Sequence, residues 1–494
     1  MAFRITTNMM RNTYRYNLQN NTKKLSDATD MVLTHRKYNS YAEDPAAATQ
    51  EFRLRRDYYQ TFSQLNNTKN AYSKYNTAWH NLAGVKKDLI DKTAIEAAIR
   101  GENGGTGEAR HALATVLRET SESVIHALNQ KLGDQFIFAG NDGLNVPFEW
   151  RGEDLYYRGI NVKAGSLEKP TAEEGTWLAN AKAALEAANG GKLTEDDQAW
   201  YDYYTHASYD KPKTTEPGWL TNALNADTTT SQTEKDGWLA YYRHEGLDEK
   251  PTADVPDWAK DPTTTFDEYG MPKGEKVPEY ATAGEMDKAW LDYYKDQADL
   301  AKLKKMSGEE LYLDLGMGLA EKKPNDPING SYFNSALCGI DFTGFGADRG
   351  EGTDNTGDPQ NLALIMRELA DVFDAWDETM EPQGYNPALA KNSAAGLTSK
   401  ELEDKANRLL NKLQASQDNF SEKYSELDAK SVFLTSNQER LETQLTDTNT
   451  QLLDVYQVNM ADAITGLSWQ QYCYNAALKI GNQLLSQSLI DYMN

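Results

Sequence analysis

The chain has 494 residues, a formal net charge of −24 and a mean hydropathy of −0.74. So acidic a balance excludes general affinity for phosphate backbones, hence no nucleic-acid partner is expected, and self-association has to use local patches because the overall charge opposes it. Two cysteines, Cys338 and Cys473, build neither a disulfide framework nor a cysteine-based metal site.

The opening MAFRITTNMMRNTYRYNLQNN has no apolar core followed by small residues, so no cleaved signal peptide is expected. No run of about 18 apolar residues suggests a membrane span. Residues 1–140 read mainly as helix. Leu18, Leu25 and Val32 recur every seven residues, with Ala28 on the same side. A break follows at NSYAEDPAAATQEF (39–52), where Asp44 suits an N-cap and Pro45 a first helical turn. Phe52, Tyr59, Phe62, Leu65, Tyr72, Tyr75, Trp79 and Leu82 then follow at helical steps and read as one core stripe. GENGGTGEAR (101–110) is a turn. A third helix directs Leu113, Leu117, Val124, Leu128 and Leu132 to a core and stops at Gly133.

From DQFIFAGNDGLNVPFEWRGEDLYYRGINV onward, apolar runs separated by Gly, Asn and Asp read as strands and tight turns. The same character returns at ELYLDLGMGL (310–319) and ALCGIDFTGFG (336–346). Between them lies a Tyr- and Trp-rich segment with an internal repeat. TEDDQAWYDYY, TEKDGWLAYY and EMDKAWLDYY share an acidic helix start, a Trp and a Tyr pair, and the first two are followed by Pro217-Gly-Trp219 and Pro256-Asp-Trp258. This suggests a duplicated helical unit inserted in the chain. Trp200, Trp238 and Trp290 read as its core anchors. Adjacent pairs such as Tyr203 and Tyr204 cannot both face one core, which predicts exposed aromatics. His244-Glu245-Gly-Leu-Asp248 comes within one residue of a zincin motif, but the fifth position is Asp248 and Gly246 weakens the helix, so no metal or cofactor site is read there. The scattered histidines offer no nucleophile–base pair either, and no enzymatic activity is expected.

Helix resumes near Asn361, with Leu362, Ile365, Leu369, Phe373 and Trp376 on one stripe. Thr398 or Ser399 caps a long helix with a true heptad: Leu413, Phe420, Leu427, Leu434, Leu441, Thr448 and Val455 on one seam position, and Gln417, Tyr424, Ser431, Gln438, Leu445, Leu452 and Asn459 on the other. The stripe shifts phase near Met460 and continues through Ile464, Leu467, Gln471, Tyr474 and Leu478 to Leu485 and Leu489. An apolar stripe reaching a chain end needs cover, and the N-terminal heptad can supply part of it. Two short, half-polar stripes are marginal as an isolated pair, which points to further cover from neighbouring copies. Arg4, Arg11, Arg15, Lys23 and Lys24 make the N-terminus locally basic, either for solubility or to complement Asp447, Asp454 and Asp462.

FRITTNMM (3–10), NSYAEDPAAATQEF, LGDQFIFAG (132–140), GIDFTGFG and the ending QSLIDYMN resemble, in this order, segments of the flagellin family, and most closely its hook–filament junction members. The resemblance covers roughly 1–160 and 309–494 and leaves 166–308 outside it. It implies a mainly α fold with a β-rich middle: a terminal coiled coil (1–42 with 455–494), a helical rod (43–140 with 355–454), a β-rich outer domain (141–165 with 309–354) and the inserted repeat domain (166–308). It also implies an extracellular flagellar subunit, exported by the type III apparatus with an export chaperone. That subunit would form a ring with its own copies between the hook-side junction protein (hook-associated protein 1) and flagellin. Leu18, Leu25, Val32, Leu452, Val455, Ile464, Leu467, Tyr474, Leu478, Leu485 and Leu489 are the expected interface residues. A filament-forming flagellin and a flagellum-borne adhesin or glycan-binding module acting through 166–308 are the alternative readings.

Overall fold

The structure is a computed structural model. It describes residues 7–493 except 39, 105, 173–175, 190–191, 209, 229, 246–249, 319, 325, 329, 350–355 and 378–384, with no side chains described beyond 483. It is 63% helical and 8% strand. In chain order the helices are α1 (Thr7–Thr34), α2 (Pro45–Gly84), α3 (Ile95–Glu102), α4 (Gly107–Leu128), α5 (Trp177–Ala188), α6 (Glu195–Tyr204), α7 (Trp219–Ala226) and α8 (Gln232–Tyr242). They continue with α9 (Asp257–Lys260), α10 (Glu285–Ser307), α11 (Gly339–Thr343), α12 (Leu362–Ala375), α13 (Ser399–Tyr456) and α14 (Met460–Met493).

Local chemistry sets most of these ends. Asp44 Oδ1 accepts from the amides of Ala46 and Ala47 and starts α2 at Pro45. Thr398 and Glu401 form a reciprocal capping box at the start of α13. Between α2 and α3 the chain keeps turning as a π-helix, Val85–Ala94. The wider turn brings residues five apart together, as in the Lys86–Asp91 ion pair (3.0 Å) and the Thr93 hydroxyl donating to the Asp88 carbonyl (2.7 Å).

The middle is not β-rich. Its strands are two to four residues long, the most regular being the antiparallel ladder of Phe148–Arg151, Asp154–Tyr157 and Ile160–Asn161. The frequent Gly and Asn turns that suggested strands also cut each ladder short. Two further expectations change here. GIDFT forms α11 rather than a strand. The helix expected to reach Gly133 ends at Leu128, and Leu132 lies exposed in a hairpin. Asn129 redirects the chain: its side chain donates to the Phe148 carbonyl (2.8 Å) and accepts from the Phe148 amide (3.0 Å), replacing the next helical turn with a strand-like partner.

The chain groups into two compact units, Met1–Asn76 with Tyr312–Ser335 and Asp428–Asn494, and Thr77–Leu311 with Ala336–Leu427. Residues 312–335, expected with an outer domain, group with the terminal helices. In this first unit Leu65, Leu315, Leu434 and Leu441 are buried, and Asn437 donates to the Thr68 hydroxyl and the Leu315 carbonyl at 3.0 Å each. The buried face of α2 here carries Glu51, Thr61, Gln64 and Thr68, whereas Phe52, Tyr59 and Phe62 are exposed. The expected core stripe is therefore out of phase at its start. Hydrogen bonding satisfies Glu51, Gln64 and Thr68 among them, as for Gln64 with Asp314 (3.0 Å), and so offsets the cost of burying them.

In the second unit α4 packs on α12, which is buried nearly all round. Its buried carboxylates are matched: Arg118 reaches Asp371 (2.6 Å) and Asp374 (2.7 Å), and Lys405 reaches Glu368 (2.8 Å). Gly101 lets the Phe373 ring approach to 2.2 Å from where a Cβ would stand.

The insert belongs to the second unit, and its described helices follow one another in the chain as three successive pairs, α5–α6, α7–α8 and α9–α10, with α5 packed on α7. Trp177, Trp219 and Trp258 lie in the leading helices, and Trp200, Trp238 and Trp290 in the following ones. The first two pairs share a core that includes Trp177, Trp200, Leu220, Leu224, Trp238 and Tyr242, while Trp258, Trp290 and Leu291 form a separate one. Tyr203 (5% exposed) and Tyr204 (0%) are both buried, against expectation. Both belong to the one core shared by the first two repeats, and their hydroxyls are satisfied at its edge: Tyr204 donates to Glu216 (2.9 Å) and Tyr203 to the Arg243 carbonyl (2.9 Å), with Arg243 and Glu216 themselves paired (2.8 Å).

Candidate assembly interface

All the expected interface residues lie in the first unit, where α1 packs along α14. On α1 the half-buried seam is Tyr14, Leu18, Asn21, Leu25, Ala28 and Val32, at alternating steps of four and three. The facing seam on α14 is Met460, Ala463, Leu467, Gln470, Tyr474, Ala477 and Gly481, at steps of three and four. These are heptad spacings on both sides. Gly481 is needed where Tyr14 crosses: a Cβ there would stand 1.9 Å from the Tyr14 hydroxyl.

Leu18, Leu25, Val32, Leu467 and Tyr474 therefore lie on the seam as expected. Leu452 is buried and Val455 half-buried in α13. Ile464 and Leu478 do not face α1: Ile464 is 51% exposed and Leu478 is exposed as well. Gln470 takes the place expected for Gln471. The physical reason is that α14 is apolar on more than one side, so its own spacing leaves open which side meets α1. The side chains of Leu485 and Leu489 lie outside the described residues.

The side of α14 away from α1 carries Trp469 (63% exposed) and Tyr472 (67%), whose rings stack at 5.9 Å, together with exposed Ile480. With the half-buried seam residues each securing only part of the roughly 1.5–3 kcal/mol of a fully buried apolar side chain, the pair leaves much of its apolar surface in water.

The root of the pair is held by a group that sequence reasoning missed. The Lys37 amide donates to the Tyr456 carbonyl (2.8 Å) and the Val458 amide to the His35 carbonyl (3.1 Å). The Lys37 ammonium also donates to the Asp454 carbonyl. Beneath them Glu51 is buried, accepting from the Tyr38 hydroxyl (2.6 Å) and pairing with Arg55 (2.6 Å) and Arg36 (3.3 Å). Both guanidiniums lie near the Tyr456 ring, at 5.9 Å for Arg36 and 5.7 Å for Arg55. Burial raises the Glu51 pKa, but the bonds from Tyr38 and Arg55 outweigh it and leave the carboxyl below its ordinary range. Burial, followed by the bond to Glu51, pushes Tyr38 up to about 12. The only sequence signal for this hub is that Glu51 shares the inward phase of α2 with Ala48 and Leu65.

Among the described residues, Arg11, Arg15, Lys23 and Lys24 form no ion pair with Asp447, Asp454 or Asp462, and Arg4 lies outside them. His244 stands past the end of α8 at φ 53°, off the helical face that a zincin needs, and Asp248 is outside the described residues. No helix among the described residues is long and apolar enough to cross a membrane. No protein-family model matches the chain, and no curated protein matches it significantly.

Proposed function

We propose that the chain is a structural subunit of the bacterial flagellum, a hook–filament junction protein of the hook-associated protein 3 type. On this reading it leaves the cell through the type III apparatus and forms a ring with its own copies, with hook-associated protein 1 on the hook side and flagellin on the other. The observation that carries the reading is the double-sided character of α14. A helix apolar on opposite faces belongs in a packed interior, and α1 supplies only one side. Like copies of the hairpin, set side by side around a closed ring, supply the other. The ordered motifs from FRITTNMM to QSLIDYMN support the flagellar assignment. The insert then rides on the scaffold, and the subunit's role is mechanical.

The test is Trp469→Glu combined with Tyr472→Glu in cells carrying only this copy. Both side chains are exposed in the single chain, so the protein should fold and be exported. Incorporation should fail, because an unpaired charge in a packed interface costs several kcal/mol. The cells should shed the variant and unpolymerised flagellin, leaving bare hooks. Normal filaments on such cells would overturn the interface assignment, and a wild-type filament built of this chain would favour the flagellin alternative.

A further inference from the structure

The three repeats of the insert carry W-x-x-Y-Y at Trp200–Tyr204, Trp238–Tyr242 and Trp290–Tyr294, and the rings pack alike in each. The first tyrosine stands edge-on to the tryptophan, with centroids 5.8, 5.6 and 5.9 Å apart and planes at 90°, 86° and 87°. What lies on that tyrosine differs. In the first two repeats the cover is mutual: His244 of the second lies on Tyr203 of the first at 4.5 Å, and His206 of the first lies on Tyr241 of the second at 4.4 Å. The third repeat has no fourth with which to make this exchange. Asp296 stands where its histidine would be, and the carboxylate accepts from the Leu167 amide (2.9 Å). The third tyrosine, Tyr293, instead lines a cavity of about 500 Å³.

Two chain segments build one wall of this cavity. Residues 170–172 and 251–253 run antiparallel about the Thr171–Thr252 bridge, the Ala172 amide donating to the Pro251 carbonyl (2.8 Å) and the Ala253 amide to the Pro170 carbonyl (2.6 Å). Side chains two apart on extended chain share a face. Lys169 and Thr171 therefore lie on the same face as Lys250 and Thr252, and all four line the cavity. The two lysines stand on opposite sides of the bridge, about 13 Å apart along an extended ladder. Both are exposed, and neither forms an ion pair among the described residues. Arg349 also lines the cavity, but it is held by the Ser166 carbonyl (2.6 Å) and its charge is matched by Glu168. The lining thus carries two unmatched positive charges, two threonine hydroxyls, the Gln297 amide and one aromatic ring.

We propose that this cavity binds a short acidic oligosaccharide, a chain of uronic acid residues, with one sugar ring on Tyr293 and carboxylates on Lys169 and Lys250. The volume is that of a small-ligand site. A pyranose places its C–H face on an aromatic ring, as the histidines place theirs on Tyr203 and Tyr241, and its hydroxyls fit the threonines and Gln297. The distance between the lysines selects a chain with a charge on each ring over a single small anion. The net charge of −24 repels an acidic ligand from most of the surface, so a local pair of cations decides where it settles. The third repeat has in this way become a receptor, by losing the histidine and the sister repeat that close the same place in the other two. This activity stands on the insert alone and is independent of the flagellar reading.

The purified full chain tests this by isothermal titration calorimetry with trigalacturonate, and with maltotriose as the neutral control. Trigalacturonate should bind at a single site, less tightly as salt is added, and maltotriose more weakly. Lys169→Glu combined with Lys250→Glu, both at exposed positions, should abolish binding with the near-UV circular dichroism unchanged. Tyr293→Ala should weaken binding by up to about tenfold, the scale of a lost ring contact, whereas Tyr293→Phe keeps the ring and should retain it. Tyr293 also packs against the Trp258–Trp290 core; should the alanine variant fail to fold, the phenylalanine and lysine variants decide. No binding of trigalacturonate at millimolar concentration, binding that survives the lysine reversal, or equal affinity for maltotriose would overturn the site. The ligand is titrated into isolated protein, so neither outcome depends on flagellar assembly.

Discussion

Replacing Glu51 by alanine should loosen the root of the α1–α14 pair selectively. In the native protein its carboxylate accepts from the buried Tyr38 hydroxyl at 2.6 Å and pairs with Arg55 and Arg36. Without it the hydroxyl is left buried with no acceptor, which costs about 1–3 kcal/mol. The two guanidiniums are 35% and 41% exposed and water resolvates them, so their pairing adds at most about 1 kcal/mol. The sum, about 1–4 kcal/mol, corresponds to roughly 5–900-fold more frequent local opening. The amides of Lys37 and Val458, which bridge the two chain segments, are the natural reporters, and their hydrogen exchange measured by NMR or mass spectrometry should accelerate by that factor. Tyr38→Phe should cost less, because Glu51 keeps both arginines, and the double variant should be less than additive by about 1–2 kcal/mol. The pH dependence carries the same signature. With its folded pKa depressed, Glu51 contributes fully above its unfolded value of about 4.3 and loses that contribution as pH falls through the folded value. Tyr38, raised to about 12, contributes fully below about pH 10 and loses its contribution as pH rises through the folded value. Glu51→Ala should therefore flatten the acid limb of protection. Unchanged exchange at Lys37 and Val458, or strict additivity with Tyr38→Phe, would refute the hub.

Gly481→Leu should separate the terminal helices or expel Tyr14, since the new Cβ would stand 1.9 Å from the hydroxyl and 2.3 Å from Cζ. The expected loss is about 1–3 kcal/mol, read as reduced helix protection, and Tyr14→Ala should restore most of it; no rescue would refute the Tyr14–Gly481 crossing. Trp200→Ala should destabilise the shared core of the first two repeats by about 3–5 kcal/mol. The Trp258–Trp290 core is separate, so near-UV circular dichroism should show one part of the insert melting early and the other unchanged.

Signals carried by neighbouring residues are legible in the sequence. Asp44-Pro45 and Thr398 with Glu401 start helices because a cap needs only the next turn. The heptad from Leu413 to Leu441 is buried where its period places it, and Trp200, Trp238 and Trp290 are core anchors, as their recurrence in the repeat implied. The seam on α1 could also be read, because only one of its sides is apolar at regular heptad steps.

The rest depends on which surface meets which. Nothing local separates the side of α14 that takes Ala463, Gln470 and Ala477 from the one that shows Ile464, Trp469 and Tyr472, because periodicity names a face only when the opposite face is polar. Phe52, Tyr59 and Phe62 lie at good helical spacing, yet Glu51, Thr61, Gln64 and Thr68 point inward, because partners such as Asp314 and Asn437, hundreds of residues away, satisfy those polar groups. Tyr203 and Tyr204 are both buried in one core because Glu216 and the Arg243 carbonyl, from other parts of the insert, satisfy their hydroxyls. Sequence by itself determined where helices begin and which residues recur. Only the tertiary structure decided which faces are inside, since a polar group is buried at little cost once a distant part of the chain supplies its hydrogen bond.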